Sequence, residues 1–240
     1  MTRLLFVASE AFPLVKTGGL ADVAGSLPEV LRQKGMDVRL LLPAYADLLR
    51  HLNAPVDAID ELELARYKVR ILECRLPGTR LRTWLLEHPI FSERAGNPYH
   101  DDTGTAWPDN AERFAALSWV AARIAIEGTN YGWRPDVLHA HDWQAGLAPA
   151  YLRYAGEARV KSVITVHNIA FQGIAPAARL SGLRLPYGAF TPDSVEYYGQ
   201  ISTLKAGLVT ADAITTVSET YAAELMRPEF GMGLQGVIAA

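Results

Sequence analysis

The chain has 240 residues, half of them hydrophobic and 20% charged, with a formal net charge of −3, enough for one large α/β domain or two small ones. The slightly acidic balance, with no basic run interleaved with aromatics, argues against nucleic-acid binding. A single cysteine, Cys74, excludes a disulfide framework and a cysteine-based zinc site, and no uninterrupted apolar run approaches the ~18 residues of a membrane helix.

Residues 3–8 (RLLFVA) are a short apolar run of the kind that forms a strand covered on both faces. Glu10 ends that run too early for a secretion signal, so a soluble, cytoplasmic-type chain is expected. Leu20, Val23, Ala24, Leu27, Val30 and Leu31 then recur at helical spacing as far as Lys34. Pro28 is expected to kink or restart this helix, and Gly35 to stop it. Between strand and helix lie Lys16, Thr17, Gly18 and Gly19. At a helix N-terminus the unpaired N–H groups and the aligned peptide dipoles favour an anion. Glycine permits close approach of a ligand, and Lys16 adds a mobile positive charge. Two readings stay open for this loop: a phosphate cradle, or simply a tight strand-to-helix connection. Neither the dinucleotide fingerprint nor Walker A fits, because Lys-Thr precedes the glycines.

Residues 38–42 (VRLLL) form a second buried strand ended by Pro43. Alternation over 62–76 and 81–86, around the Pro77-Gly78-Thr79 turn, predicts an antiparallel hairpin inserted into an otherwise βα-ordered chain. Cys74 within it reads as an inert structural thiol. The loop 91–107 is rich in turn formers and long enough to carry function. Tyr99 in that loop is either core or a stacking platform for a sugar or base. Asp109 is expected to cap a helix over 110–126, with Phe114, Leu117, Val120, Ala121 and Ile124 on its apolar face. There follow a strand at 136–140, a helix at 143–154, a strand at 160–166, an irregular stretch at 168–192, a helix at 200–211, a strand at 213–217 and a helix from about 219.

This order implies an α/β, Rossmann-like, mainly parallel sheet flanked by helices, with ligands at the carboxyl ends of its strands. Lys16 to Gly19, His141-Asp142-Trp143 and His167-Asn168 each follow such an end and should share one crevice. His139 and His141 are expected to point to opposite faces of their strand, so no metal site is expected. Asp142 serves either as a helix cap or in chemistry. His167 either binds substrate and moves a proton near neutrality, or is a satisfied turn histidine. No nucleophile elbow is present, and Cys74 has no evident base. A dehydrogenase would need an acidic residue after the second strand, where Pro43-Ala44-Tyr45 stands.

Six runs then act together: Val7-Ala8-Ser9-Glu10, Lys16 to Val23 (KTGGLADV), Asn97-Pro98-Tyr99-His100-Asp101, His139 to Trp143 (HAHDW), Thr165 to Ile169 (TVHNI) and Leu204-Lys205-Ala206-Gly207. In that order, over nearly the whole chain, they resemble the bacterial glycogen synthase and plant starch synthase family. The closing Phe230 to Leu234 also resembles that family just before its interdomain crossing. The resemblance implies one half of a two-domain GT-B glycosyltransferase, its two Rossmann-like domains facing each other across a cleft. It implies retaining transfer of glucose, usually from ADP-glucose, to the 4-hydroxyl at the non-reducing end of an α-1,4-glucan such as glycogen or a maltooligosaccharide. Carried over residue by residue, it makes Asp142 and His167 catalytic and gives Lys16, Thr17, Gly18, Gly19 and Asn168 donor contacts. It gives Asp22, Tyr99, His141 and Lys205 further substrate contacts, and it requires no cofactor, metal, nucleic acid or membrane. On this reading residues 1–240 are the acceptor-side domain without its nucleotide-sugar partner, inactive alone; the alternative is a non-catalytic glucan-binding module. Oligomeric state stays open.

Overall fold

The computed structural model describes residues 1–52, 57–64 and 67–239. The first part of the chain comprises β1 (Arg3–Val7), α1 (Gly19–Gln33), β2 (Asp37–Pro43), α2 (Ala46–His51), β3 (Asp57–Leu64), β4 (Tyr67–Arg75), β5 (Arg82–Glu87), α3 (Pro89–Ser92) and α4 (Asn110–Glu127). There follow β6 (Val137–His141), α5 (Asp142–Ala145), α6 (Leu147–Tyr154), β7 (Lys161–Val166), β8 (Ile174–Pro176), β9 (Glu196–Tyr197) and β10 (Gln200–Ser202). The chain closes with α7 (Thr203–Thr210), β11 (Ala213–Thr216), α8 (Glu219–Leu225) and α9 (Gln235–Ile238).

The main sheet has the order β11-β7-β6-β1-β2-β5-β4-β3. Neighbours from β11 to β5 are parallel; β4 and β3 add an antiparallel edge. In β1 and β2 every residue but the first of each strand is buried, which is why these strands read as unbroken apolar runs. Helix α4 contacts β1, β2 and β6 and packs on α6, which in turn packs on α7. Strand order reverses beside β1: the chain steps out through β2 to β5 and returns to β6 on the other side of β1. In an open α/β sheet that switch point opens a crevice at the carboxyl ends of the strands.

Several expectations change. The inserted antiparallel hairpin is present as β4 and β5, and β5 also pairs in parallel with β2, which makes it part of the main sheet. Pro28 lies inside a continuous α1 without breaking it; burial of Leu20, Ala21, Ala24 and Pro28 offsets the one lost internal bond. Asp109 stands at the N-cap of α4, but its carboxylate caps nothing there. It holds Arg94 instead, through two bonds of 2.7 and 2.6 Å. The expected helix at 143–154 divides at Gly146, where α7 approaches so closely that a side chain would meet the Thr203 carbonyl group. The expected helix at 200–211 begins only at Thr203. Residues 200–202 pair with β8 and β9 in a small antiparallel sheet, and the Ser202 hydroxyl caps α7 by accepting the Lys205 N–H at 3.0 Å. Cys74 is buried in β4, and burial pushes its thiol up to about 11, as an inert structural cysteine should behave.

Candidate functional site

A cavity of about 770 Å³ lies beyond the carboxyl ends of β1, β6 and β7. Its walls are Glu10 and Thr17 to Leu20 after β1, Asp142 to Gln144 after β6, and His167 and Asn168 after β7. The loop before α4 adds Asn97, Tyr99 and His100, and Phe171 and Val217 complete the rim. The three polar runs do share one crevice. Among the described residues that line it, none is lysine or arginine.

The loop between β1 and α1 is organised by a residue that sequence reasoning passed over as chemistry. Glu10 is 3% exposed. Its carboxylate accepts the backbone N–H of Thr17, the Thr17 hydroxyl at 2.9 and 3.0 Å, and the Gly18 N–H at 3.3 Å. The chain's own carboxylate thus takes donors that the sequence offered to an external anion, and charge-assisted bonds of this kind are strong. The available signal was an acidic residue three positions beyond a strand that is buried from Leu4 to Val7. Gly18, at the N-cap of α1, makes no side-chain cap, and Gly19 and Leu20 of the first turn stand in the cavity wall.

Lys16 does not line the cavity. Its Nζ holds both carboxylate oxygens of Asp22, at 2.7 and 2.8 Å, with both side chains about half exposed. Lys205 is also elsewhere: it is buried, and its Nζ donates to the carbonyls of Pro192 and Glu196 at 2.5 Å each. It anchors the loop around the small sheet.

Asp142 is a non-glycine residue at φ 54, a left-handed conformation that costs of order 1–3 kcal/mol. It does not cap α5, to which it belongs. Its carboxylate instead accepts the His167 N–H at 2.6 Å and the Asn168 N–H at 3.5 Å, joining the end of β6 to the end of β7. Burial pushes its carboxyl up to about 7; the backbone donors oppose that rise and the Glu10 charge adds to it.

His139 and His141 lie on the same side of β6, with ring centroids 4.2 Å apart. Side chains two apart on a strand share a face, which corrects the opposite-face expectation. His139 Nε2 meets the Thr165 hydroxyl at 2.6 Å, and that hydroxyl meets Thr215 Oγ1 at 2.7 Å. His141 is fully buried, stacks on Phe6 at 4.0 Å, and sets its Nδ1 3.0 Å from His167 Nε2. Burial holds His139 and His167 down at about 4 and His141 well below the ordinary histidine value, so all three rings are neutral at pH 7. A neutral His167 suits hydrogen bonding to a hydroxyl better than donation of a proton.

The Tyr99 hydroxyl sits among Ser9 Oγ at 2.8 Å, Glu10 Oε1 at 3.2 Å and Gln144 Nε2 at 3.0 Å, with its ring against Phe114 and Trp143. The fold therefore gathers Thr17, Gly18, Gly19, Tyr99, Asp142, His167 and Asn168 around the cavity, with His141 behind His167. It leaves Lys16, Asp22 and Lys205 off the wall, and it adds Glu10 and Gln144 to the site.

From residue 3 to residue 240 the chain matches the family model of the starch synthase catalytic domain. The chain belongs to that family. It is 59% identical over 238 residues, 99% of its length, to a glycogen synthase of Cereibacter sphaeroides (strain ATCC 17025 / ATH 2.4.3). It is 53% identical over 240 residues to a glycogen synthase of Paracoccus denitrificans. The chain spans about half the length of these curated relatives, 49% and 50%. Its fold superimposes on the catalytic domain of starch synthase IV from Arabidopsis thaliana bound to ADP and acarbose, with a TM-score of 0.82 and 27% identity, covering 99% of this chain and 49% of that one. All three carboxyl-end runs of the cavity fall inside the starch synthase match.

Proposed function

We propose that this chain is the acceptor-side half of a glycogen synthase, a retaining glucosyltransferase that moves glucose from ADP-glucose to the non-reducing end of an α-1,4-glucan. The observation that carries the reading is identity of 59% to a glycogen synthase along 99% of the chain. The cavity at the sheet's switch point supports it, as does a relative whose occupants are ADP and an oligosaccharide analogue, acarbose. The reaction breaks the bond from glucose C1 to the diphosphate and forms one from C1 to the acceptor O4, while the acceptor's hydroxyl proton leaves to the diphosphate side.

Positive charge grows on the sugar and negative charge on the leaving group, and preorganised dipoles stabilise both. The Glu10 carboxylate and the Asp142 carboxyl, with no lysine or arginine among the described residues of the wall, make this face suit the electron-poor sugar. The N–H groups at the start of α1 suit a phosphate oxygen. His167, braced by His141, offers a neutral ring to a glucosyl hydroxyl, and Tyr99 fixes the Glu10–Gln144 side of the wall. Lys16 contributes its charge to the diphosphate on leaving Asp22, and the remaining cationic charge is assigned to the other half of the full-length relatives. We place this chemistry in the cytoplasm: Cys74 is a buried free thiol, and among the described residues no helix is long and apolar enough to cross a membrane.

The test joins this chain to the C-terminal half of the Cereibacter sphaeroides relative and measures glucose incorporation from ADP-glucose into glycogen. Incorporation is expected from the joined chain and none from residues 1–240 alone. A folded joined chain that binds maltoheptaose but transfers nothing overturns the reading in favour of a non-catalytic glucan-binding module.

A further inference from the structure

At the amino ends of β2 and β5, on the sheet edge away from the cavity just described, three arginines stand in direct register. Arg39 of β2 pairs with Arg82 of β5, and Arg82 pairs with Arg75 of β4. Residues directly opposite on neighbouring strands share a face, and like charges so placed repel. Arg80 and, from the last turn of α1, Arg32 join them around a separate cavity of about 400 Å³.

Nearby acids neutralise only part of this charge. Arg32 is held by Glu29 at 2.8 and 2.9 Å, Arg39 pairs with Asp37, and Arg82 lies 3.6 Å from Glu73. Asp37 and Glu73 also serve tryptophan N–H groups, Trp133 at 2.7 Å and Trp84 at 2.8 Å. Among the described residues Arg75 bonds only the Arg80 carbonyl, at 2.6 Å, and the Arg80 guanidinium has no acidic partner. The Arg39 side chain is 7% exposed, and its Nε is a buried donor without a partner. Leaving a charged donor buried and unpaired is costly, and that donor belongs to a residue of the cavity wall.

We propose that this cavity binds a small phosphate-bearing anion through Arg39, Arg75, Arg80 and Arg82. Guanidinium groups match phosphate oxygens two at a time, and an anion here relieves the repulsion along the register. The site is distinct from the sugar cavity, because it lies at the opposite ends of the strands and shares no residue with it. Helix α1 touches both cavities: its first turn lines one and its Arg32 lines the other.

The Arg39 guanidinium lies 5.1 Å from the Trp133 ring and 5.8 Å from that of Trp84, so intrinsic tryptophan fluorescence reports occupancy. The experiment titrates the 240-residue chain with sodium pyrophosphate and with inorganic phosphate at low ionic strength, with sodium chloride at matched ionic strength as control. Pyrophosphate is expected to saturate at or below about 1 mM and to weaken as salt rises. The double variant Arg75→Ala/Arg80→Ala alters two exposed side chains and should retain the native melting temperature while binding at least tenfold more weakly. His167→Ala, in the sugar cavity, should leave the titration unchanged. Saturation by inorganic phosphate as well supports a phosphate monoester site; saturation by pyrophosphate alone supports a diphosphate site. No saturable response, the same response to chloride, or a response that the double arginine variant retains overturns the proposal.

Discussion

Asp142→Asn should make the protein more tolerant of alkaline pH. In the unfolded chain an aspartate titrates near 3.9, at about its ordinary value, whereas burial holds Asp142 at about 7 in the fold. Between those values the native state keeps a proton that the unfolded state has lost, so stability falls as pH rises. From pH 5 to pH 8 this one group removes about 2.5 kcal/mol. Asparagine cannot ionise, keeps an oxygen for the His167 N–H, and tolerates the left-handed backbone at this position. Wild type should therefore lose about 2.5 kcal/mol more than the variant over that interval, or about 5–10 °C in melting temperature at this chain length. Thermal unfolding followed by circular dichroism at pH 5, 6, 7 and 8 measures the difference. His139, His141 and His167 act with the opposite sign: their depressed values make stability rise with pH up to about 6.5, the ordinary value for histidine. They are present in both proteins and cancel. Melting curves that stay parallel across the pH range would show Asp142 ionised throughout and refute the burial argument.

Glu10→Gln should cost about 1.5–3 kcal/mol, the value of charge-assisted bonds to the Thr17–Gly18 loop; an unchanged urea midpoint would show that the loop keeps its shape without the carboxylate. Gly207→Ala places a methyl group against Ile164 Cδ1 and 2.7 Å from the Gly146 carbonyl oxygen, and should destabilise by about 1–3 kcal/mol or more. Gly19→Ala meets nothing within 4 Å, so its melting temperature should match or exceed wild type, and a large loss would contradict the packing described. Lys16→Ala breaks a half-exposed pair with Asp22 and a contact of its ammonium with the half-exposed Phe12 ring at 5.9 Å, and should change stability by about 1 kcal/mol or less. In the joined enzyme the same variant should cost about 1.5–3 kcal/mol in kcat/KM for ADP-glucose, and unchanged kinetics would remove Lys16 from the reaction.

Much of the sheet was legible because its strands are covered on both faces, so RLLFVA and VRLLL stand out as runs that no surface element would carry. The alternation of β4 exposed the hairpin, but β5 gained a second partner that local periodicity does not encode. The cap at Ser202 marks where α7 starts, yet the helical spacing runs on through Ile201 and hid the small sheet. At the site, the placement of ligands at strand carboxyl ends is enough to bring the glycine loop, Asp142 and His167 into one crevice from sequence. The rule could not say which charges would be spent locally. Glu10 meets Thr17 only after the loop folds back on β1, and Lys16 meets Asp22 only once α1 has turned. Lys205 looked available because its partners are backbone carbonyls, which sequence leaves unmarked.

The claim that the carboxyl-end cavity holds the glucose to be transferred is tested most directly by backbone amide resonances of the 240-residue chain during titration with ADP-glucose. Saturable shifts are expected at Thr17, Gly18, Gly19, His167 and Asn168, reduced in Asp142→Asn. Saturable binding that leaves all five of those amides unmoved would contradict the claim.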